Sequence, residues 1–338
     1  MDTKKNITFS KLKKKEISTL VKAINFTRSL DKKKFTKKTS IKKWLWQYVK
    51  LPTKKTYCYL VKKNQTIIGY FHVPIYKISI NRKNYLIGNV QDVAISKLYR
   101  GFGIFKKLSK FAVDDLKDKV DLLYTFPNNL SLENFIKHNT FSFFKYVPLY
   151  IKTTFLNFIN KNKLKNNQKI IIKNYVDKKI DKLFKRFSIN HSIHLIRDKS
   201  FLKWRYIDSP KGKVFAVSLT ERNNLLATLI IKKTTIFGCS CIAILDFAFK
   251  GKVENLSILI NNFYSHLRIK FKIKAYFILF TYFLNNENFF LKNNFFLIPK
   301  FLTPRKINIL FKLFNKRLIT NFNKKQSWLI TLGDWDVF

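Results

Sequence analysis

Asn89-Val90-Gln91-Asp92-Val93-Ala94-Ile95-Ser96-Lys97-Leu98-Tyr99-Arg100-Gly101-Phe102-Gly103-Ile104-Phe105-Lys106-Lys107-Leu108 reads as a strand, a basic glycine turn and the start of a helix. Val90, Val93, Ala94 and Ile95 form the apolar, β-branched run of a buried strand. Arg100-Gly101-Phe102-Gly103 interrupts that run, after which Ile104, Leu108, Phe111, Ala112 and Val113 recur near helical spacing. A strand–glycine turn–helix unit brings several backbone N–H groups and the positive end of a helix to one point. That point suits a phosphate or pyrophosphate.

Upstream, Ile17, Leu20, Val21 and Ile24 share one helical face, followed by Trp44-Leu45-Trp46-Gln47-Tyr48 and Pro52. Strands are expected at Tyr57–Val61, Thr66–Phe71, Tyr76–Ile80 and Tyr85–Ile87. Downstream, a strand at Leu122–Phe126 turns at Pro127-Asn128-Asn129 into a helix carrying Leu132, Phe135 and Ile136. A last strand at Phe143–Ile151 closes this half. From about Asn157 to Lys182 the chain turns to Lys and Asn with little periodicity, as a connection between domains would.

The second half repeats the first in outline. Trp204-Arg205-Tyr206 precedes Pro210 at the spacing by which Trp46-Gln47-Tyr48 precedes Pro52. Ile244-Leu245-Asp246-Phe247-Ala248-Phe249 parallels Val90-Gln91-Asp92-Val93-Ala94-Ile95, with Asp-x-Ala inside an apolar strand. Ala275–Phe280 answers Leu122–Phe126, and Lys292-Asn293-Asn294-Phe295 answers the run from Lys137 to Phe141. Matches in the same order imply two copies of one mixed α/β domain: residues 1–156, a linker over 157–182, and residues 183–338. After its strand, however, the second copy has only Lys250-Gly251-Lys252, so the phosphate site is expected in the first copy alone.

The composition sets limits on these readings. With 338 residues, 46% of them hydrophobic, the chain can bury a core in each of two domains. The formal net charge is +48. A polyanion partner such as a nucleic acid would explain it, and so would a coding bias, because Lys, Asn, Ile and Phe are enriched everywhere and are not clustered. Weak polyanion binding in low salt is expected from either origin. No run approaches the ~20 apolar residues of a membrane span, and no apolar stretch follows the basic start as in a secretory signal. Cys58, Cys239 and Cys241 lack the partners of a metal site, so no metal is expected, and reduced thiols fit a cytoplasmic setting.

Asp92-Val93-Ala94-Ile95 together with Tyr99-Arg100-Gly101-Phe102-Gly103-Ile104 and Leu108 resembles the acetyl-coenzyme A motif of the GNAT acyltransferase superfamily, Arg/Gln-x-x-Gly-x-Gly/Ala. Set on Arg100, the first glycine of that pattern is Gly103, and the last small residue is replaced by Phe105. The paired Trp-x-Tyr elements and the closing Trp328–Asp334 resemble bacterial tandem-GNAT proteins. The resemblance implies a mixed sheet whose two central strands splay apart around acetyl-CoA, the co-substrate. Pantetheine would bond the backbone near Ala94 and Ile95, and the pyrophosphate would rest on the N–H groups of Arg100, Gly101, Phe102, Gly103, Ile104 and Phe105. Charge would come from Arg100 and Lys106, and Asn128 would hydrogen-bond pantetheine. An amine would attack the thioester directly, which needs a base and often an acid for the departing thiolate. Asp92 is the carboxylate of the motif strand, either that base or an organiser of nearby backbone. The acid's usual Tyr position holds Phe135, and Tyr124 is the nearest alternative. The implied activity is N-acetyl transfer to an amine, an amino sugar or another small amine. The alternatives are a non-catalytic acyl-CoA-binding scaffold and a basic protein associated with nucleic acid or the ribosome.

Overall fold

The computed structural model of the chain describes residues 6–31, 38–139, 141–154, 164–236, 238–281, 287–303, 306–323 and 328–335. In order, the elements are β1 (Ile7–Lys11), α1 (Ile17–Asp31), α2 (Ile41–Tyr48), β2 (Thr56–Lys63), β3 (Thr66–Ile80), β4 (Lys83–Ile95), α3 (Ile104–Leu116), β5 (Leu122–Thr125), α4 (Asn129–Asn139) and β6 (Ser142–Tyr146). They continue with β7 (Tyr150–Thr153), β8 (Gln168–Lys173), α5 (Lys178–Ser188), β9 (Ile193–Leu195), α6 (Lys199–Leu202), β10 (Val214–Glu221), β11 (Asn224–Ile236) and β12 (Cys239–Phe249). The last are α7 (Glu254–Phe271), β13 (Phe277–Phe280), α8 (Glu287–Lys292), β14 (Phe296–Leu297), β15 (Asn308–Leu313), α9 (Ile319–Asn323) and β16 (Trp328–Leu329).

Two compact units form. The first combines Met1–Lys77, Tyr85–Lys145 and Ile307–Lys324, around a sheet of order β1-β2-β3-β4-β5-β15-β6. Both faces of β2 are buried, which explains its unbroken apolar run. Tyr59 and Val61 pack with Leu108, Ala112 and Leu116 of α3, whereas Cys58 and Leu60 pack with Leu20, Val21 and Ile24 of α1 and Trp44 of α2. The two strands expected over residues 66–80 are one, as are those over 85–95. Pro74 does not break β3 because it pairs with Thr56, the end of the β2 ladder, where a missing N–H costs little.

The second unit combines Ile78–Asn84, Tyr146–Lys306 and Lys325–Phe338, around a sheet of order β14-β7-β13-β12-β11-β10-β8. In this unit Ile78–Ile80 pair antiparallel with β9, which runs parallel to β16. The two sheets are mixed α/β, as expected from the repeat, but the division at 156 and 183 gives way to an exchange. The first sheet places β15, from the C-terminal part of the chain, between β5 and β6. The second places β7, from the N-terminal half, between β13 and β14. The single closing strand expected over 143–151 is therefore two strands, one in each sheet. The expected linker also contains β8, which pairs with β10 from Ala216↔Lys173 to Glu221↔Gln168. Residues 157–163 of that linker lie outside the described residues.

Lys152 shows how deeply the exchanged strand is buried. It is 1% exposed; Nζ donates to Asn261 Oδ1 of α7 at 2.8 Å and lies 5.9 Å from the Phe295 ring. No carboxylate among the described residues pairs with it, and burial pushes its ammonium down to about 8. Between pH 8 and the ordinary 10.5 the unfolded chain binds more protons, so stability rises with pH across that window. Below it the folded protein carries the full cost of a buried charge. Lys152→Met should therefore stabilise the protein at pH 7 by about 1–3 kcal/mol and abolish the alkaline rise. Denaturation midpoints of both proteins at neutral and alkaline pH check this; parallel curves would mean that water reaches Lys152.

Candidate active site

Strands β4 and β5 pair in parallel from Ile87↔Leu122 to Val90↔Thr125, and there the ladder ends. Thr125 Oγ1 donates to the Val90 carbonyl at 2.8 Å and closes the last rung. β5 stops, with Pro127 next but one along the chain, while β4 runs on to Ile95. Among the described residues no strand pairs with β4 on the β5 side beyond Val90, and it is near Ala94 and Ile95 that the resemblance places pantetheine. On the other side β4 lies close against β3. A Cβ on Gly69 would come within 2.5 Å of Ile95 Cδ1 and 3.0 Å of the Ala94 carbonyl oxygen, so only glycine allows the strands to approach.

Beyond Ile95 the chain curls through Gly101 (φ 87°) and Gly103 (φ 72°) into α3. Nothing lies within 4 Å of a Cβ built on either, so the positive φ requires glycine while the space above the turn stays open. The first backbone bond into α3 runs from Lys107 N–H to the Gly103 carbonyl, 3.2 Å, which leaves the N–H groups of Ile104, Phe105 and Lys106 without a helical acceptor. Ile104 is buried, Phe102 and Lys106 are exposed, and the Phe105 ring stands edge-to-face on Phe135 at 5.7 Å. Phe105 and Phe135, both departures from the family motif, thus form one core contact. Arg100 behaves differently from expectation. Its Nε donates to the Ile95 carbonyl at 2.9 Å, and Nη1 and Nη2 grip the two oxygens of Asp31, each at 2.8 Å. The guanidinium braces the turn against α1 and is not left free for a phosphate. Asn128 is likewise occupied in part, since its Oδ1 accepts from Ser131 N–H at 2.9 Å and caps α4.

Asp92 has φ 46°, a left-handed conformation that L residues rarely hold without outside support. The support comes from both backbone and side chain. His72 Nδ1 lies 3.0 Å from the Asp92 carbonyl oxygen, and Trp44 Nε1 donates to His72 Nε2 at 3.1 Å. Burial pushes the imidazole below its usual range. The neutral ring with its proton on Nδ1 satisfies both contacts. The carboxylate takes Arg28 Nη2 of α1 on Oδ1 at 2.7 Å and the Tyr48 hydroxyl of α2 on Oδ2 at 2.6 Å. Burial works against the charge on Arg28, but Asp92, with Tyr70 and Tyr48, outweighs it and holds the guanidinium above its usual range. Both partners keep some access to solvent, with side chains 29% and 25% exposed.

A profile of the GNAT acetyltransferase domain matches residues 19–133, from α1 into α4. This segment is a GNAT domain. No curated protein matches the chain. The whole fold is similar to that of a conserved protein of unknown function from Enterococcus faecalis V583, described as a probable N-acyltransferase, with 12% identity over 91% of this chain and 72% of that one and a TM-score of 0.68. It is also similar to a tandem GNAT protein from the clavulanic acid biosynthesis pathway, with 8% identity over 91% and 98% of the two chains and a TM-score of 0.60. Saccharomyces cerevisiae N-myristoyltransferase with bound myristoyl-CoA shares the fold at 9% identity, over 92% and 83%, with a TM-score of 0.58. The two mixed sheets thus have the tandem-GNAT architecture.

Within this architecture, the second unit repeats the carboxylate arrangement of the GNAT domain in closed form. Tyr206 OH donates to Asp246 Oδ2 at 2.9 Å, as Tyr48 does to Asp92, and Arg197 Nε donates to the same oxygen at 2.7 Å. Arg197 Nη2 also binds Asp334 at 2.7 Å, and the Arg197 and Asp246 side chains are wholly buried. Burial pushes the Asp246 carboxyl up, Arg197 pulls it down and Asp334 pushes it up again. Beyond the last paired residues, Ala243 and Leu279, Phe247 and Phe280 meet at 5.2 Å. The turn keeps one left-handed glycine, Gly251 at φ 64°, and Glu254 occupies the first turn of α7. A 310 Å³ cavity beside that turn is lined in part by Lys179, Lys182, Arg186 and Lys250, so positive charge persists there without the two-glycine curl.

Of the residues expected from sequence, Asp92, Ala94, Ile95 and the Arg100–Lys106 turn lie along one continuous stretch of backbone. Tyr124 pairs opposite Asn89 on β5, but it is 2% exposed and its hydroxyl is sealed from solvent. The phenol nearest the site carboxylate is Tyr48. Arg28, Tyr48 and His72 were missed as site residues. The Trp-x-Tyr repeat was the one available signal, because in both copies its Tyr reaches the strand Asp.

Proposed function

We propose that the protein is an acyl-CoA-dependent N-acyltransferase that uses acetyl-CoA and works from the cleft of its GNAT domain. One observation carries the reading: within a segment matched as a GNAT domain, a strand that outruns its parallel neighbour leads straight into a left-handed two-glycine turn whose first helical N–H groups have no helical acceptor. In this reading the strand backbone at Ala94–Ile95 holds pantetheine through the Ile95 N–H, since the Ala94 carbonyl and the Ser96 N–H face β3, and the N–H groups from Gly101 to Lys106 hold the pyrophosphate, helped by the exposed Lys106 and by the positive end of α3. Glycines at 101 and 103 let backbone and phosphate meet without an intervening side chain.

The Asp92 carboxylate takes the proton from the attacking ammonium, through water where the amine lies beyond direct reach. Tyr48 is 3% exposed, so its hydroxyl orients the carboxylate, and the thiolate leaves without an assigned acid. Arg28 keeps the carboxylate anionic and fixed in direction. The acceptor is an amine small enough for this half-buried cleft. The buried Asp246 cluster makes the second copy a structural partner.

Calorimetry with acetyl-CoA and then longer acyl forms tests the donor, and thioester consumption over an amine panel tests the transfer. Asp92→Asn, which tolerates a positive φ, should bind acetyl-CoA as the parent does and lose turnover by about a hundredfold or more. Undiminished turnover would remove Asp92 from the chemistry. Binding without transfer to any amine would favour a coenzyme-binding scaffold.

A further inference from the structure

The second unit contains a cavity that the acyltransfer reading does not use. Strands β12, β13 and β7 carry helices on one face: Lys152 reaches Asn261 of α7, and Tyr150 stacks on Phe290 of α8 at 3.5 Å. Because strand side chains alternate, their neighbours Ile151, Phe277, Leu279 and Cys241 serve the opposite face. No helix residue among the described residues lines the cavity on that face. The segment from Leu297 to Thr303 arches over this face and leaves a cavity of 660 Å³. Among the described residues its polar lining side chains are the Thr303 hydroxyl and the thiols of Cys239 and Cys241.

Three features narrow the occupant. The walls offer almost nothing to hydrogen-bond, so a peptide or sugar would lose its water contacts without replacement. The arch leaves large apolar side chains in water, Phe301 83% exposed, Leu302 56% and Leu297 55%, and burying them is favourable. The segments that build the cavity, residues 146–154, 232–244, 268–281 and 296–303, contain lysines and an arginine and no Asp or Glu. Lys300 sits on the arch with Nζ 4.9 Å from the Tyr146 ring, and Ser240 Oγ donates to the Lys274 backbone carbonyl at 2.8 Å, so the backbone of Lys274 lies beside the Cys239–Cys241 rim. The volume is that of an ordinary small-molecule site.

We infer that this cavity binds a single alkyl chain bearing an anionic head, the chain lying between Leu279 and the Leu297–Thr303 arch and the head meeting lysines at the rim. The inference does not depend on catalysis in the GNAT domain.

Displacement of a fluorescent fatty-acid probe from the whole protein tests it, with laurate, palmitate and palmitoyl-CoA as competitors. Palmitate should displace the probe and slow alkylation of the exposed Cys239. Phe301→Asp, at a position too exposed to disturb folding, should weaken the probe by about tenfold or more while acetyl-CoA binding stays unchanged. Lys300→Glu should weaken palmitate more than hexadecanol. Vesicles of anionic or neutral lipid separate the source of the chain: binding to anionic vesicles that Phe301→Asp abolishes places the chain in a membrane, and binding to free palmitate alone places it in solution. No displacement by any chain overturns the inference, as does equal competition by a cationic surfactant of the same length. So does a concentration-dependent dimer that protects Cys239 without ligand, because a second copy would then be the cover.

Discussion

Gly103→Glu removes acetyl-CoA binding, weakening it by more than about a hundredfold, and leaves the protein folded. The size follows from charge. The new carboxylate stands at the start of α3, among the N–H groups assigned to the pyrophosphate, and like charges brought together in a binding site cost several kcal/mol. The fold survives because nothing lies within 4 Å of a Cβ at this position. What remains is the strain of an L residue at φ 72°, about 1–2 kcal/mol. Gly103→Ala carries that strain without the charge and should keep most of the binding. Calorimetry of both variants beside thermal unfolding reads the difference. Binding by Gly103→Glu equal to that of the parent would show that the pyrophosphate rests elsewhere.

Arg197→Met destabilises the protein by about 3–5 kcal/mol, with a fall in Tm of roughly 10 °C. Arg197 is buried with two carboxylates, Asp246 and Asp334, and also donates to the Leu195 carbonyl at 3.0 Å. Removing the cation leaves two anions in a buried site, whereas removing all three charges together leaves none. Arg197→Met combined with Asp246→Asn and Asp334→Asn should therefore recover part of the loss, which a simple packing defect would not do. Urea unfolding of the single and triple variants measures both. A change below about 1 kcal/mol in the single variant would mean that the cluster is hydrated.

The repeat and the glycine turn were legible in the sequence because each rests on local chemistry. A buried strand needs an unbroken apolar run, and a tight turn into a helix needs residues that tolerate positive φ. Gly101 and Gly103 adopt that conformation, and the single glycine of the second copy, Gly251, is where the two turns part. The side-chain cluster around Asp92 was less legible. Arg28 and His72 are ordinary members of a helix and a strand until α1 and β3 bring them to one carboxylate, and no spacing along the chain encodes that meeting. Arg100 makes the same point in reverse. The motif suggests a phosphate ligand, but the end of α1 supplies Asp31, and the guanidinium is consumed as a brace.

By itself the sequence determined that there are two mixed α/β sheets and that one strand–turn–helix unit carries a two-glycine turn. Period, apolar runs and glycine positions act over a few residues and survive reading in one dimension. Only the tertiary structure decided which strands complete which sheet. Tyr150–Thr153 and Asn308–Leu313 are short strands of mixed composition, and backbone hydrogen bonding does not distinguish partners by their distance along the chain. It also decided which Asp is open. Asp92 and Asp246 sit in matching sequence contexts, each with a Tyr donor. Asp92, however, is held in a left-handed bend with side-chain access to solvent, while Arg197 and Asp334 seal Asp246 in the core. Solvent access is a property of what packs around a residue, and residues far along the chain supply that packing.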